Sequence, residues 1–132
     1  MTFPKITADP NLTQPPNVSV EHFDEESLGK PQAVEIVGVG LHGEEGTKGY
    51  RLSILYKQID GDMGAPIAYF LINNKALSPL LNCLKLTELE DPDSLVGAQL
   101  QCVFGKRQTG FYHIMKYFDI EHKFEDLTDI PF

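Results

Sequence analysis

The 132-residue chain has no tryptophan, only two cysteines and no long apolar run. Cys83 and Cys102 both lie in apolar stretches, where a reduced, buried thiol is the ordinary occupant. No stretch approaches the roughly 18 apolar residues of a membrane span, and the N-terminus lacks a basic segment followed by an apolar run. A chain of this length can bury a core without disulfides or metal staples. The sequence therefore predicts one domain of a soluble, cytoplasmic protein.

The residue patterns of an enzyme are also missing. The histidines, His22, His42, His113 and His122, are scattered, and no His or Cys pair has the spacing of metal ligands. The glycines of 38–40 lack the rest of a dinucleotide fingerprint, and nothing matches a phosphate-binding loop. We therefore expect a binding protein that uses no metal and no cofactor, not an enzyme.

The net charge of −8 is unevenly distributed along the chain. Residues 1–30 hold two lysines against five acidic residues, and residues 119–132 hold one lysine against five. The middle segment, 31–118, carries eight basic and nine acidic residues and is nearly neutral. Because most of the negative charge lies at the two ends, the net charge does not exclude a nucleic-acid partner for the core.

The first 30 residues are rich in proline and polar side chains, which is typical of an extended arm. An apolar alternation at Val18 and Val20 indicates that part of this arm lies along a sheet edge.

Beyond the arm, β-branched and aromatic segments separated by turn residues predict five strands. They cover residues 32–40, 50–57, 66–72, 98–106 and 110–120. Ser78 as N-cap and Pro79 at the first helical position predict a short helix over 80–86, between the third and fourth strands. Asp91-Pro92 is able to start a further helical turn.

This order of elements is that of the OB-fold, an all-β barrel with five strands and a helix between strands 3 and 4. We assign it to residues 31–120, between the arm (1–30) and an acidic tail (121–132). A small sandwich or another five-stranded barrel is the alternative.

Aromatic and basic side chains are interleaved in this region, and single-stranded nucleic acid is bound by aromatic rings that stack on bases and by cations along the phosphates. The candidate DNA-binding residues are Tyr50, Arg51, Tyr56, Lys57, Tyr69, Lys75, Lys106, Arg107, Phe111, Tyr112 and Lys116. The hairpin at 106–112 is the best single candidate. Taken one by one, such aromatics are more often core residues; if Leu52 and Ile54 face inward, Arg51 and Ser53 face outward.

The last residues form the most specific motif, Asp129-Ile130-Pro131-Phe132, with Asp126 just before it. They resemble the acidic tail of bacterial single-stranded DNA-binding proteins. In that family the tail recruits replication, recombination and repair enzymes, and its final Phe and carboxylate enter an apolar pocket with a basic rim. Chemically, Phe132 supplies an apolar anchor, Asp129 supplies charge and Pro131 stiffens the peptide.

The body of the chain is similar to small phage-encoded single-stranded DNA-binding proteins. The resemblance implies a non-sequence-specific protein of DNA replication, recombination or repair, which is oligomeric and recruits host or phage enzymes through its tail. The alternative is an interaction or inhibitor module that mimics the host tail without binding DNA. Oligomeric state, DNA site size, polarity and the identity of the tail's partner are not predicted.

Overall fold

The computed structural model describes residues 3–16, 18–21, 28–43, 51–61 and 66–123. Within these residues the chain forms eight strands, one α-helix and one short 3₁₀ helix, Pro92–Leu95. In chain order the strands and the helix are β1 (Ile6–Thr7), β2 (Ser19–Glu21), β3 (Pro31–His42), β4 (Arg51–Gln58), β5 (Ile67–Leu71), α1 (Asn74–Cys83), β6 (Glu88–Leu89), β7 (Gln99–Lys106) and β8 (Tyr112–Asp119).

Six of the strands form a closed barrel in the order β2-β5-β4-β3-β7-β8, while β1 and β6 form a separate two-stranded sheet. The five long strands are β3, β4, β5, β7 and β8, and α1 lies between the third and fourth of them. The predicted all-β barrel with one helix in this position is confirmed, and the order of its elements is that of the OB-fold. The 3₁₀ helix begins at Pro92, where the sequence indicated a helical turn.

The barrel is closed by the short strand β2. It pairs antiparallel with β5 on one side and with β8 on the other, so β5 and β8 run parallel to each other. Val18 and Val20 are buried in the core, because alternate residues of β2 point into the barrel. The predicted domain boundary at residue 31 therefore separates β2 from the barrel that it completes. The segment around Val18 and Val20, predicted to lie along a sheet edge, belongs to a strand that is paired on both sides.

Strand β3 changes partners along its length. Its first part, Pro31–Glu35, pairs with β7, whereas Val34–His42 pairs with β4. The β4 register shifts between Ile36 and Gly38, which marks a bulge. Beyond the bulge, β4 is the strand that pairs with β3 within the described residues.

The helix begins earlier than the sequence indicated. Asn73, not Ser78, is the N-cap, and its side chain accepts a hydrogen bond from the Ala76 amide at 2.8 Å. Ser78 and Pro79 lie inside the helix and are buried, and the Ser78 hydroxyl accepts a hydrogen bond from the Asp9 amide of the arm at 2.9 Å. The prediction of an N-terminus at Ser78 is wrong because this hydroxyl serves a tertiary contact with the arm.

The two thiols are free, as predicted. Cys102 is buried in the barrel, whereas Cys83, at the end of α1, is only partly buried. Burial, followed by the nearby Asp119 carboxylate, raises the pKa of Cys83 to about 11. No helix among the residues described here has the length and apolar character needed to cross a membrane.

Candidate nucleic-acid interface

The outward side of the barrel carries a row of residues that runs across several strands. Residues opposite each other in an antiparallel pair share a face, and the register aligns Ser53 of β4 with Tyr69 of β5, Tyr69 with Ser19 of β2, and Ser19 with His113 of β8. With neighbouring strands about 4.8 Å apart, the row from Ser53 to His113 spans roughly 14 Å. We call the exposed side of β4, β5, β2 and the start of β8 the outer face.

Arg51 and Lys57 lie on the outer face because they alternate with inward residues of β4. Arg51 is opposite Leu71 of β5 and His42 of β3, and Lys57, at the other end of β4, is opposite Glu35. These two predicted residues therefore place positive charge towards both ends of the face.

Two side-chain hydrogen bonds hold Ser53 and Tyr69 of this row in place. The His42 Nε2 atom and the Ser53 Oγ atom are 2.8 Å apart. The Tyr69 hydroxyl donates to the Glu21 carboxylate at 3.2 Å. Partial desolvation and then this carboxylate raise the pKa of Tyr69. Glu21 introduces a negative charge on the face, which opposes an approaching phosphate.

The β7–β8 hairpin projects beside this face. It is a tight turn, in which the Arg107 amide donates to the Phe111 carbonyl and the Gly110 amide donates to the Arg107 carbonyl, both at 2.8 Å. Gly110 has a φ of 93°, a left-handed conformation that glycine adopts readily. The turn leaves Phe111 70% exposed at its tip, more than any other large apolar residue that the structure describes.

Two basic residues lie across the same turn from Phe111, on the β7 side. Lys106 ends β7, with its Nζ atom 5.6 Å from the centroid of the Tyr112 ring, and Tyr112 is partly buried against the core. Desolvation and then the charge of Arg107 lower the pKa of His113. The hairpin cation is thus electrostatically coupled to the outer-face row, and burial together with Arg107 disfavours the charged form of His113.

Two predicted cations lie at the margins of this arrangement. Lys75 is in the first turn of α1, directly after β5. Lys116 is further along β8, where its Nζ atom is 5.3 Å from the centroid of the Phe118 ring. Phe118 in turn stacks on His122 with ring centroids 4.9 Å apart. Lys116 therefore belongs to a separate aromatic group and not to the row through Tyr69.

Tyr56 is not available for stacking on a base. Its side chain is 0% exposed and points into the core beside Leu52 and Ile54. The DNA-contact prediction for Tyr56 is wrong, because the alternation that turns Arg51 outward turns Tyr56 inward. Tyr50 and the tail residues Asp126, Asp129, Ile130, Pro131 and Phe132 lie outside the described residues.

Several residues of the face were not predicted. Ser53 is at the β4 end of the row, where it is hydrogen-bonded to His42 of β3, and Ser19 and His113 extend the row towards the hairpin. The alternation through Arg51 already pointed to Ser53. Nothing in the sequence placed Ser19 or His113 beside Tyr69, because that contact depends on β2 entering the barrel between β5 and β8.

Comparison with known proteins gives no further assignment: no protein-family model, no curated protein and no solved structure matches this chain. Within the part of the chain that the structure describes, no group of His, Cys, Asp or Glu residues has the geometry to hold a metal ion.

Proposed function

We propose that this protein binds single-stranded nucleic acid, DNA in the first place, across the outer face and the β7–β8 hairpin. The observation that carries the proposal is Phe111, an exposed ring in a hairpin that also carries Lys106 and Arg107 and whose strand β8 continues into the outer-face row. The exposed ring leaves apolar surface in contact with water, which is unfavourable for the free protein. Stacking on a base would bury that surface.

The fold supports the same surface independently of its residues. In OB-fold proteins the face of strands 2 and 3, together with the loop between strands 4 and 5, binds oligonucleotides. These elements correspond here to β4, β5 and the β7–β8 hairpin. The contacts on offer are stacking and phosphate contacts, so the protein would bind with little sequence preference and without catalysis.

The tail adds a second activity to the proposal. The segment ending in Ile130-Pro131-Phe132 would recruit replication, recombination or repair enzymes of the host or a phage, in the cytoplasm, to strands that the barrel has bound. We expect Phe132→Ala to abolish capture of bacterial enzymes that bind such tails, because aromatic anchors dominate small interfaces. Undiminished capture would show that the motif has no docking role.

The alternative, a module that mimics the tail without binding DNA, is favoured by one observation, the Glu21 carboxylate on the outer face. A titration of labelled oligo-dT separates the two functions. Strong binding that weakens with salt supports the first function. Capture of tail-binding enzymes without DNA binding at low salt supports the second.

The proposal is tested by fluorescence anisotropy with single-stranded and duplex oligonucleotides of the same length. We expect a preference for the single strand, and about 5- to 150-fold weaker binding for Phe111→Ala, equivalent to about 1–3 kcal/mol for one stacked base. Leu86→Ala is the control, because Leu86 is also an exposed apolar residue but lies after α1. Equal affinity for duplex, or no loss in Phe111→Ala, would contradict the proposal.

A further inference from the structure

Among the residues that the structure describes, the second half of β3 is paired on one side only. Its pairing with the β7 segment ends where the Gly97 amide donates to the Ile36 carbonyl at 2.7 Å. From Gly38 to His42 the strand pairs with β4, Val37 lies in the bulge without a β4 partner, and no other strand in the described part of the chain pairs with this segment. Such an edge presents backbone N–H and C=O groups at the spacing that another strand requires.

A groove of about 470 Å³ lies beside this edge. We call it the β3-edge groove. One part of its lining is apolar, and the other part is acidic. The residues that line it are Phe3, Val39, Gly40, Leu41, Glu90, Asp91, Pro92 and Asp93. Leu41 is 40% exposed, so an apolar side chain that entered the groove would find an uncovered apolar partner.

The charge of the groove is negative. Three carboxylates line it, and Glu88 lies directly before them on β6. The nearby cation, Lys5, is engaged with two of these four acids, at 3.0 Å from Glu88 and 3.7 Å from Glu90. Asp91 accepts a hydrogen bond from the Asp93 amide at 3.0 Å, which holds its carboxylate at the start of the 3₁₀ helix.

We propose that the free edge of β3 binds an extended, basic and apolar segment of a protein partner, which adds to the barrel as a further strand. Alternate side chains of an added strand point to the same side, so one set would enter the groove while the backbone pairs with Val37–His42.

The charge selects this occupant over the others. The negatively charged phosphates of a nucleic acid would be repelled by Glu90, Asp91 and Asp93. A second copy of the chain has a net charge of −8 and presents the same acidic groove at its own edge. Lysine or arginine side chains on a partner strand would instead be attracted. This inference is independent of the proposed DNA binding, which uses a different surface.

The direct test uses three labelled peptides, each about eight residues long to match a typical strand. The first alternates valine and lysine, the second alternates valine and glutamate, and the third is the lysine peptide with N-methyl groups on every backbone amide, which blocks both of its edges. Binding is measured by anisotropy, and its position by the backbone amide signals of the ¹⁵N-labelled full chain. We expect the lysine peptide to bind and shift the signals of Val37–His42. The other two peptides should bind at least about tenfold more weakly, because one is repelled and the other cannot pair.

Substitutions that leave the edge backbone in place provide the second test. Glu90→Gln combined with Asp93→Asn should weaken binding of the lysine peptide at least about fivefold, because two of the attracting charges are removed. The control is Glu35→Gln with Glu121→Gln, which removes the same charge elsewhere. Leu41→Ser should also weaken binding, whereas Leu86→Ser, at a residue of similar exposure, should not.

Four results would overturn the proposal. They are no binding of the lysine peptide, equal binding of the N-methylated peptide, signal shifts confined to β4 and β5, and signals of Val37–His42 that depend on protein concentration without peptide. The last result would assign the edge to a second copy of the chain. Circular dichroism of each variant excludes loss of fold as the cause of weaker binding.

Discussion

The outer face and the β3-edge groove are built on the same barrel, yet they have opposite chemical character. The outer face and its hairpin combine aromatic rings with Arg51, Lys106 and Arg107, whereas the groove combines apolar side chains with three carboxylates. The overall charge of −8 describes neither surface. Local charge and the availability of backbone groups determine which partner each surface can bind.

The sharpest test of this division is removal of the hairpin cations. For Lys106→Ala combined with Arg107→Ala, we expect at least about tenfold weaker binding of oligo-dT at low salt. The slope of log K against log salt should become shallower by up to about 1.4, since each phosphate contact on a single strand contributes about 0.7. Binding of the lysine peptide to the groove should not weaken.

The control for that pair is Lys5→Ala with Lys85→Ala, which removes the same charge outside the outer face. Lys5 pairs with Glu88 and Glu90, and Lys85 pairs with Asp119 at 3.1 Å. An unchanged salt slope in the hairpin variant, or an equal change in the control, would remove the hairpin from the DNA interface.

The acidic tail offers a second test of how the two surfaces differ, because its carboxylates could compete with DNA for the outer face. We expect deletion of residues 125–132 to leave oligo-dT binding unchanged or to strengthen it up to about fivefold at low salt, with the gain lost as salt screens the charges. Anisotropy at two salt concentrations measures this. Weaker binding by a folded truncated chain would mean that the tail contributes to the DNA site.

The carboxylate on the outer face should have a smaller and local effect. We expect Glu21→Gln to strengthen oligo-dT binding about two- to fivefold, because it removes a negative charge beside Tyr69. Glu121→Gln, an exposed acid after β8, is the matched control and should have less effect. If Glu21→Gln weakens binding, the carboxylate orders Tyr69 for stacking instead of opposing the phosphates.

The sequence predicted the barrel because its long strands carry a strong local signal. Alternation in β4 and the β-branched residues of β3 are properties of a few consecutive residues, and they correspond to the observed strands. The start of α1 was misplaced because Ser78 and Asn73 both have side chains that can cap a helix. Only the contact between Ser78 and Asp9, which are 69 residues apart, decides between them.

The surface was less predictable than the fold. A cation or an aromatic ring in a strand is visible in the sequence, but its neighbours across the sheet depend on register and closure. Ser19 meets Tyr69 and His113 because β2 enters the barrel between two distant strands. The free edge of β3 likewise follows from where β7 stops pairing, which no local pattern encodes.

The smallest predicted effect concerns Tyr56. It distinguishes the core-facing side chains of β4 from those on the outer face. The Tyr56 hydroxyl is buried near that of Tyr117, and neither forms a hydrogen bond of good geometry within the described residues; burial, followed by the neighbouring Tyr117, raises the pKa of Tyr56 well above the usual range. Replacing an unsatisfied buried hydroxyl with hydrogen removes a desolvation cost while the ring still fills the core. We therefore expect Tyr56→Phe to leave the free energy of unfolding unchanged or to raise it by about 1 kcal/mol in urea titrations, with oligo-dT binding unaffected.

Tyr69→Ala, on the outer face, should weaken oligo-dT binding several-fold without comparable loss of stability. If Tyr56→Phe weakened DNA binding and Tyr69→Ala did not, the assignment of Tyr56 to the core side of β4 and of Tyr69 to the outer side of β5 would be wrong.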